Sequence, residues 1–193
     1  MKASMVWMVL LGTGLVAAGL PASAEPQVKE TIAYYDVSGT TAREVRNDLN
    51  RLGPFDRDGR QFDAVTKWYV NWRYRYDRTG QGCGIASATT EAKINIIMPR
   101  LVPDAAVPAE LSRSFETYSA ALLVHERGHG QFGIDAAKRI EAGLVKLPAE
   151  PNCERMGQVA NEFGHKVIQE MSQQDVEYDT KTNHGETQGA RFP

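Results

Sequence analysis

LSRSFETYSAALLVHERGHGQFGIDAAKRIEAGLVKL, residues 111–147, is the stretch on which the reading of this chain turns. Leu111, Phe115, Tyr118, Leu122, His125, His129, Phe132, Ala136, Ile140, Leu144 and Leu147 recur at intervals of three and four, which places them on one side of a long helix. Pro148 and Pro151 follow and close it. Two members of this inward stripe are imidazoles, at positions where leucine or alanine would pack at lower cost. A single histidine on an apolar face usually ends in a hydrogen bond and does no chemistry. Two of them one turn apart, with Glu126 beside them, ask for another explanation.

Residues four apart on a helix have Cβ atoms about 5–6 Å apart and point the same way. His125 and His129 are therefore spaced to share one metal ion, with Zn–N bonds of about 2.0–2.1 Å. Glu126 lies next to the stripe centre, where a carboxylate reaches a water on the metal without ligating the metal itself. This is the helical H-E-x-x-H arrangement of zinc peptidases. Zinc with three protein ligands keeps a fourth position for water and lowers that water's pKa to about 7. In this scheme Glu126 takes the water's proton as a carbonyl is attacked and returns it to the leaving amine.

Outward from the helix the period changes. TIAYYDV, residues 31–37, is β-branched and aromatic and reads as a strand. Thr41 and Glu44 have capping-box spacing, and Val45, Leu49 and Leu52 form a short helical stripe ended by Gly53-Pro54. Trp68, Val70, Trp72, Tyr74 and Tyr76 alternate with Lys67, Tyr69, Asn71, Arg73 and Arg75, a period of two with one apolar face. DRTGQG (77–82) is turn chemistry, and from Cys83 Ala86, Ala88, Ala92, Ile94, Ile96 and Met98 share one side, which predicts an antiparallel hairpin. Beyond the long helix, Met156, Ala160, Phe163, Val167 and Met171 mark a second one, from about Glu154 to Gln174, followed by a polar C-terminal tail. Strands first and helices afterwards predict an α+β domain in which an antiparallel sheet of the first strand and the hairpin packs on the active-site helix and the second C-terminal helix. The resemblance of the H-E-x-x-H motif to that of zinc peptidases implies that this arrangement is zincin-like.

Residues 1–24 read as a secretory signal: Lys2, an apolar run, and Ala22-Ser23-Ala24 before Glu25. The apolar core is short for a stable membrane span. Residues 25–193 then form a single domain, exported to the periplasm or beyond. Removing Lys2 leaves 21 basic against 24 acidic side chains, with no basic stripe, which argues against nucleic acid as a partner. Cys83 and Cys153, an even pair in an exported chain, predict one disulfide. Closing so long a loop is worth about 4 kcal/mol in the chain-entropy account.

The third ligand is harder to place. Asp135, ten residues after His125, is rotated about 80° from it and carried about 15 Å along a continuous helix, so it reaches the metal only if the helix breaks after His129. Gly130 and Gly133 weaken a helix, but the stripe runs on in register through Phe132, Ala136 and Ile140, which favours an ordinary helical role for Asp135. His165 lies two residues from both Phe163 and Val167, off the core stripe, and reads as solvated. His184 remains, in YDTKTNHG, residues 178–185. Taken together, HERGH, the Cys near the second strand, the Cys before the last helix and the closing YD-x-x-T-x-HG resemble a bacterial family of predicted secreted zinc-dependent proteases, formally a domain of unknown function. The likeness runs from about Tyr34 to Gly185. It implies that Tyr178, Asp179, Thr182 and His184 matter. On that footing the tail is expected to fold back so that His184 completes the metal site. Tyr178 is expected either to donate to a tetrahedral oxyanion or to pack as an aromatic at a helix end. Asp179 is expected to orient a ligating imidazole or to ligate itself.

The function expected is a zinc-dependent peptidase acting on peptide or protein, in which an edge strand beside the active helix holds the substrate as an added strand. An amidase acting on cell-wall peptides needs the same activated water and polarised carbonyl. A zinc site that binds without turnover is the third alternative, left open by Arg127 beside the motif.

Overall fold

The computed structural model describes residues 25–56, 58–80, 82–104 and 106–193; the expected secretory signal lies outside them. Chain order is β1 (Gln27–Val37), α1 (Ala42–Leu52), β2 (Val65–Thr79), β3 (Gly82–Leu101), α2 (Ala109–Leu144) and α3 (Cys153–Thr182), then a 3-10 turn at Glu186–Gln188. This is an α+β fold. α1 starts on the expected capping box: Glu44 N–H donates to Thr41 Oγ1 at 3.3 Å and Thr41 N–H to Glu44 Oε2 at 3.1 Å. Val45 and Leu49 are buried, whereas Leu52, at the helix end, is largely exposed.

β2 and β3 form the hairpin, in register from Val65–Ile97 to Thr79–Gly82 with a bulge between Arg75 and Tyr76. β1 does not extend an antiparallel sheet. It joins the far side of β3 in parallel register, from Gln27–Glu91 to Val37–Leu101, so the sheet is mixed and its order is β1-β3-β2. β1 and β2 run in opposite directions, and the hairpin turns the chain once more; a strand laid beside β3 rather than β2 is then necessarily parallel. Among the described residues β2 is therefore an edge strand, paired on one side only.

One face of the sheet carries Trp68, Ala92, Ile94, Ile96 and Met98, all buried, and α2 packs across it. α2 is continuous through its glycines. Their purpose is contact: a Cβ on Gly130 would lie 2.8 Å from Ile94 Cγ2, and one on Gly133 2.8 Å from Trp68 Cβ. Helix and sheet approach closer than any larger residue allows, and that close approach offsets the propensity cost of about 1 kcal/mol per glycine.

α3 returns along α2. Cys153 at its start is disulfide-bonded to Cys83 at the start of β3, and Cys83 and Glu150 exchange main-chain hydrogen bonds of 2.8 and 2.9 Å alongside. The bridge thus ties the sheet to the last helix. α3 does not stop near Gln174. It runs to Thr182, and Asn183 ends it in the left-handed conformation. The polar tail is therefore largely helix. Its inward positions continue the spacing of Val167 and Met171, but as Asp175, Asp179 and Thr182.

Candidate metal centre

His125 and His129 project from α2 one turn apart, as their spacing requires. Facing them, Asp175 and Asp179 project from α3 at the same spacing. The two pairs interlock. His125 Nε2 and His129 Nε2 are 3.1 Å apart, and Asp179 Oδ1 lies 3.2 Å from the first and 3.0 Å from the second. These three residues are the one group of His, Cys, Asp and Glu among the described residues with the geometry to hold a metal ion.

The outer nitrogens decide what the inner ones present. His129 Nδ1 lies 2.6 Å from Asp175 Oδ1, and Asp175 Oδ2 accepts from Trp68 Nε1 at 2.9 Å. His125 Nδ1 lies 3.0 Å from Gln188 Oε1. A carboxylate and an amide oxygen only accept, so each neutral imidazole carries its proton on Nδ1 and points the Nε2 lone pair inward. Two lone pairs and a carboxylate oxygen then converge with no donor between them. Either a proton or a cation must sit there.

The titration of the site reflects that need. Burial lowers the basicity of His129, but its hydrogen bonds to Asp175 and Asp179 outweigh burial and push it up to about 10. Burial raises Asp179, yet the neighbouring imidazoles of His125 and His129 hold it well below the usual carboxylate range. A tetrahedral zinc with bonds of about 2.0–2.1 Å keeps neighbouring donors about 3.3 Å apart. The observed triangle of 3.0–3.2 Å fits that requirement with small adjustment.

Glu126 is buried beside the cluster. Thr66 Oγ1, on β2, lies 2.7 Å from its Oε2 and 3.0 Å from its main-chain oxygen. Burial raises its pKa, opposed by Thr66 and by the neighbouring imidazoles. A cleft of about 590 Å³ opens onto these groups. Its floor is α2 from Tyr118 through Leu122 to His129, one wall is β2 from Val65 to Trp68, and the other is the end of α3 with the segment after it.

His184 stays outside the group of three. Its Nδ1 lies 3.4 Å from Asp179 Oδ2, on the far side of that carboxylate, and its ring packs on Phe62. Tyr178 does not aim its hydroxyl at the converging atoms. Its ring stacks on His125 at 5.1 Å, and the hydroxyl faces Gln188 and the His125 carbonyl. Asp135 accepts from Gln131 on its own helix, away from the cluster. His165 is exposed at the edge of Trp72. Arg127 turns to Glu30 of β1 at 2.8 Å rather than to the site. Asp175, Thr66, Trp68 and Gln188 were not singled out from sequence. For Asp175 a signal existed: adding four to Met171 gives Asp175, and four more gives Asp179.

Residues 32–185 match the model of a family described as a bacterial protein of unknown function, DUF922. No curated protein and no solved structure matches the chain.

Proposed function

This chain belongs to the bacterial DUF922 family, and we propose that it is a zinc-dependent hydrolase of peptide bonds, with His125, His129 and Asp179 as metal ligands and Glu126 as general base. The observation that carries this reading is the convergence of three electron-pair donors whose outer partners already account for both imidazole protons. Two imidazoles and a carboxylate are a familiar ligand set for catalytic zinc, and Asp175 behind His129 supplies the outer hydrogen bond that such ligands need. The third position goes to Asp179 rather than His184, because its Oδ1 already lies within 3.2 Å of both Nε2 atoms.

A divalent ion held there supplies Lewis acidity, polarising a substrate carbonyl and acidifying a water. The chain does the rest. Thr66 occupies one oxygen of Glu126 at 2.7 Å, which leaves the other free for the water's proton. As the water oxygen bonds to the carbonyl carbon and the C–N bond breaks, Glu126 passes that proton to the departing nitrogen. A carboxyl pushed upward by burial is suited to hold a proton between those steps. β2, an edge strand whose residues Val65–Trp68 line the cleft, offers free main-chain groups along which an extended peptide lies as an added strand. The disulfide suits an exported protein, and no described helix is long and apolar enough to cross a membrane.

The test is metal analysis of the purified protein, paired with hydrolysis of unstructured protein substrates by the wild type and by Glu126→Gln. One zinc per chain in both proteins, with hydrolysis only in the wild type, is expected. A protein that takes up no zinc, or a Glu126→Gln variant as active as the wild type, would refute the reading.

A further inference from the structure

The turn after α3 is conformationally costly. Asn183, His184 and Gly185 are left-handed in succession, with φ of 49°, 50° and 84°, and Gly189 follows at 93°. Non-glycine residues enter that region at a cost of about 1–2 kcal/mol each, so such a run is kept only where the surroundings enforce it. Here the surroundings are specific. Thr187 Oγ1 donates to the Thr182 carbonyl at 3.1 Å, Ala190 N–H donates to Gly185 O at 3.1 Å, and Ala190 and Phe192 are buried. Gly185 passes so near His125 that a Cβ on it would lie 2.8 Å from His125 Cγ. Among the side chains this path places is Gln188, with Oε1 3.0 Å from His125 Nδ1.

We propose that Gln188 is a positioning residue that selects the tautomer of His125 in which Nε2 is free to bind a cation, with Tyr178 holding the Gln188 side chain against the imidazole. The proposal rests on the metal-site reading above and extends it to residues beyond the segment that matches the family, which ends at 185. An amide side chain presents an acceptor at one end and a donor at the other, so Gln188 alone can turn either end to the imidazole. Facing His125 with its oxygen, it requires a proton on Nδ1. Facing it with its nitrogen, it would move that proton to Nε2 and aim it at His129 and Asp179.

In the structure the oxygen faces the ring, and Tyr178 lies against the amide. Its hydroxyl reaches the His125 carbonyl at a long 3.5 Å, and a carbonyl can only accept. The hydroxyl lies 2.9 Å from Gln188 Nε2, from which it accepts, and 3.1 Å from Gln188 Oε1, and that same oxygen is 3.0 Å from His125 Nδ1. The ring is held for this by stacking on His125, 5.1 Å away with the planes 13° apart. A Cβ on Gly128 would overlap the Tyr178 hydroxyl, which accounts for the glycine inside the histidine motif.

The experiment uses the full chain and two readouts. Nitrogen-15 chemical shifts of His125 in the metal-free protein report its tautomer. Competition with a chelator reports affinity for Zn²⁺ alone. We expect the Nδ1–H form in the wild type, a mixture of tautomers in Gln188→Ala, and a loss of zinc affinity of roughly 10–100-fold, as for other partners that orient metal ligands. Tyr178→Phe keeps the stacking ring and is expected to lose less. Gln188→Glu, which presents only acceptors, is expected to restore both the tautomer and the affinity. An Nδ1–H tautomer and zinc affinity unchanged in Gln188→Ala would overturn the proposal; so would a Gln188→Glu variant that folds but stays as weak as Gln188→Ala. A wild type that binds no zinc sinks the metal reading instead, and the tautomer measurement still decides the role of Gln188.

Discussion

Glu126 and Glu141 sit on the same helix, and at first sight in the same environment. They are 4% and 5% exposed, and each is held by a threonine of the sheet, Thr66 Oγ1 at 2.7 Å in one case and Thr90 Oγ1 at 2.8 Å in the other. They differ in what lies beyond the threonine. Glu126 opens onto a cleft where two imidazoles and Asp179 converge. Glu141 faces the packed interior, and its Oε2 also accepts the Thr90 N–H at 2.7 Å, one residue before β1 begins to pair with β3 at Glu91. It satisfies a β3 main-chain N–H just before the β1 register begins. Its Oε1 has no hydrogen-bond partner among the described residues. A buried, threonine-bonded glutamate is thus not in itself a catalytic group. What makes one reactive is the set of charges it shares and its access to a substrate.

That contrast is sharpest in turnover. Glu126→Gln is expected to lower hydrolysis by about 10²–10⁴-fold, the usual worth of a general base, with little change in the thermal midpoint. Glu141→Gln is expected to leave turnover per folded molecule unchanged. Equal losses in the two variants would break the distinction.

The next effect concerns ligands. Asp179→Asn is expected to weaken zinc binding by more than the roughly 100-fold upper range for orienting partners, and His184→Asn to leave it unchanged, both read by chelator competition. The opposite order would return the third position to His184.

Stability comes third. Glu141→Ala leaves the Thr90 N–H buried without its acceptor, at a cost of about 1–3 kcal/mol. In a domain of this size that is a fall of about 2–4 °C in thermal midpoint per kcal/mol.

The smallest effect is a slope with pH. His129 has its folded pKa raised to about 10, above the unfolded value. The stability this adds to the metal-free protein is complete below about pH 6.5 and is lost as pH rises towards 10. In the proposed zinc site the ion takes the place of the proton, so its affinity is expected to rise over the same window. Thermal unfolding from pH 6 to 10, with and without zinc, checks the sign. His129→Gln is expected to flatten the slope and Glu141→Gln to keep it.

Much of this was legible in advance, for identifiable reasons. The long helix, the hairpin and the α1 cap follow from period and spacing, which act locally. The pairing of β1 was not legible, because alternation says which face of a strand is buried and not which edge it joins. The end of α3 was not legible because the apolar stripe stops where its next members are Asp175, Asp179 and Thr182. Asp175 and Asp179 nonetheless turn inward because α2 supplies imidazoles opposite. The same reason explains why the tail motif pointed towards the site while His184 itself lies just outside it. Asp179 stands one turn earlier on the helix and faces inward. His184 falls in the left-handed turn beyond.

By itself the sequence settled that two imidazoles share one helix face with a carboxylate next to them, since an interval of four residues has that consequence in any α-helix. It settled also that Cys83 and Cys153 form a pair. The tertiary structure alone decided which acceptors stand behind those imidazoles, which carboxylate of α3 meets them, and that Glu141 turns to a main-chain N–H of β3. Those outcomes depend on contacts between segments far apart in the chain. A spacing rule can prescribe how one helix presents its side chains, but not what the rest of the fold sets against them.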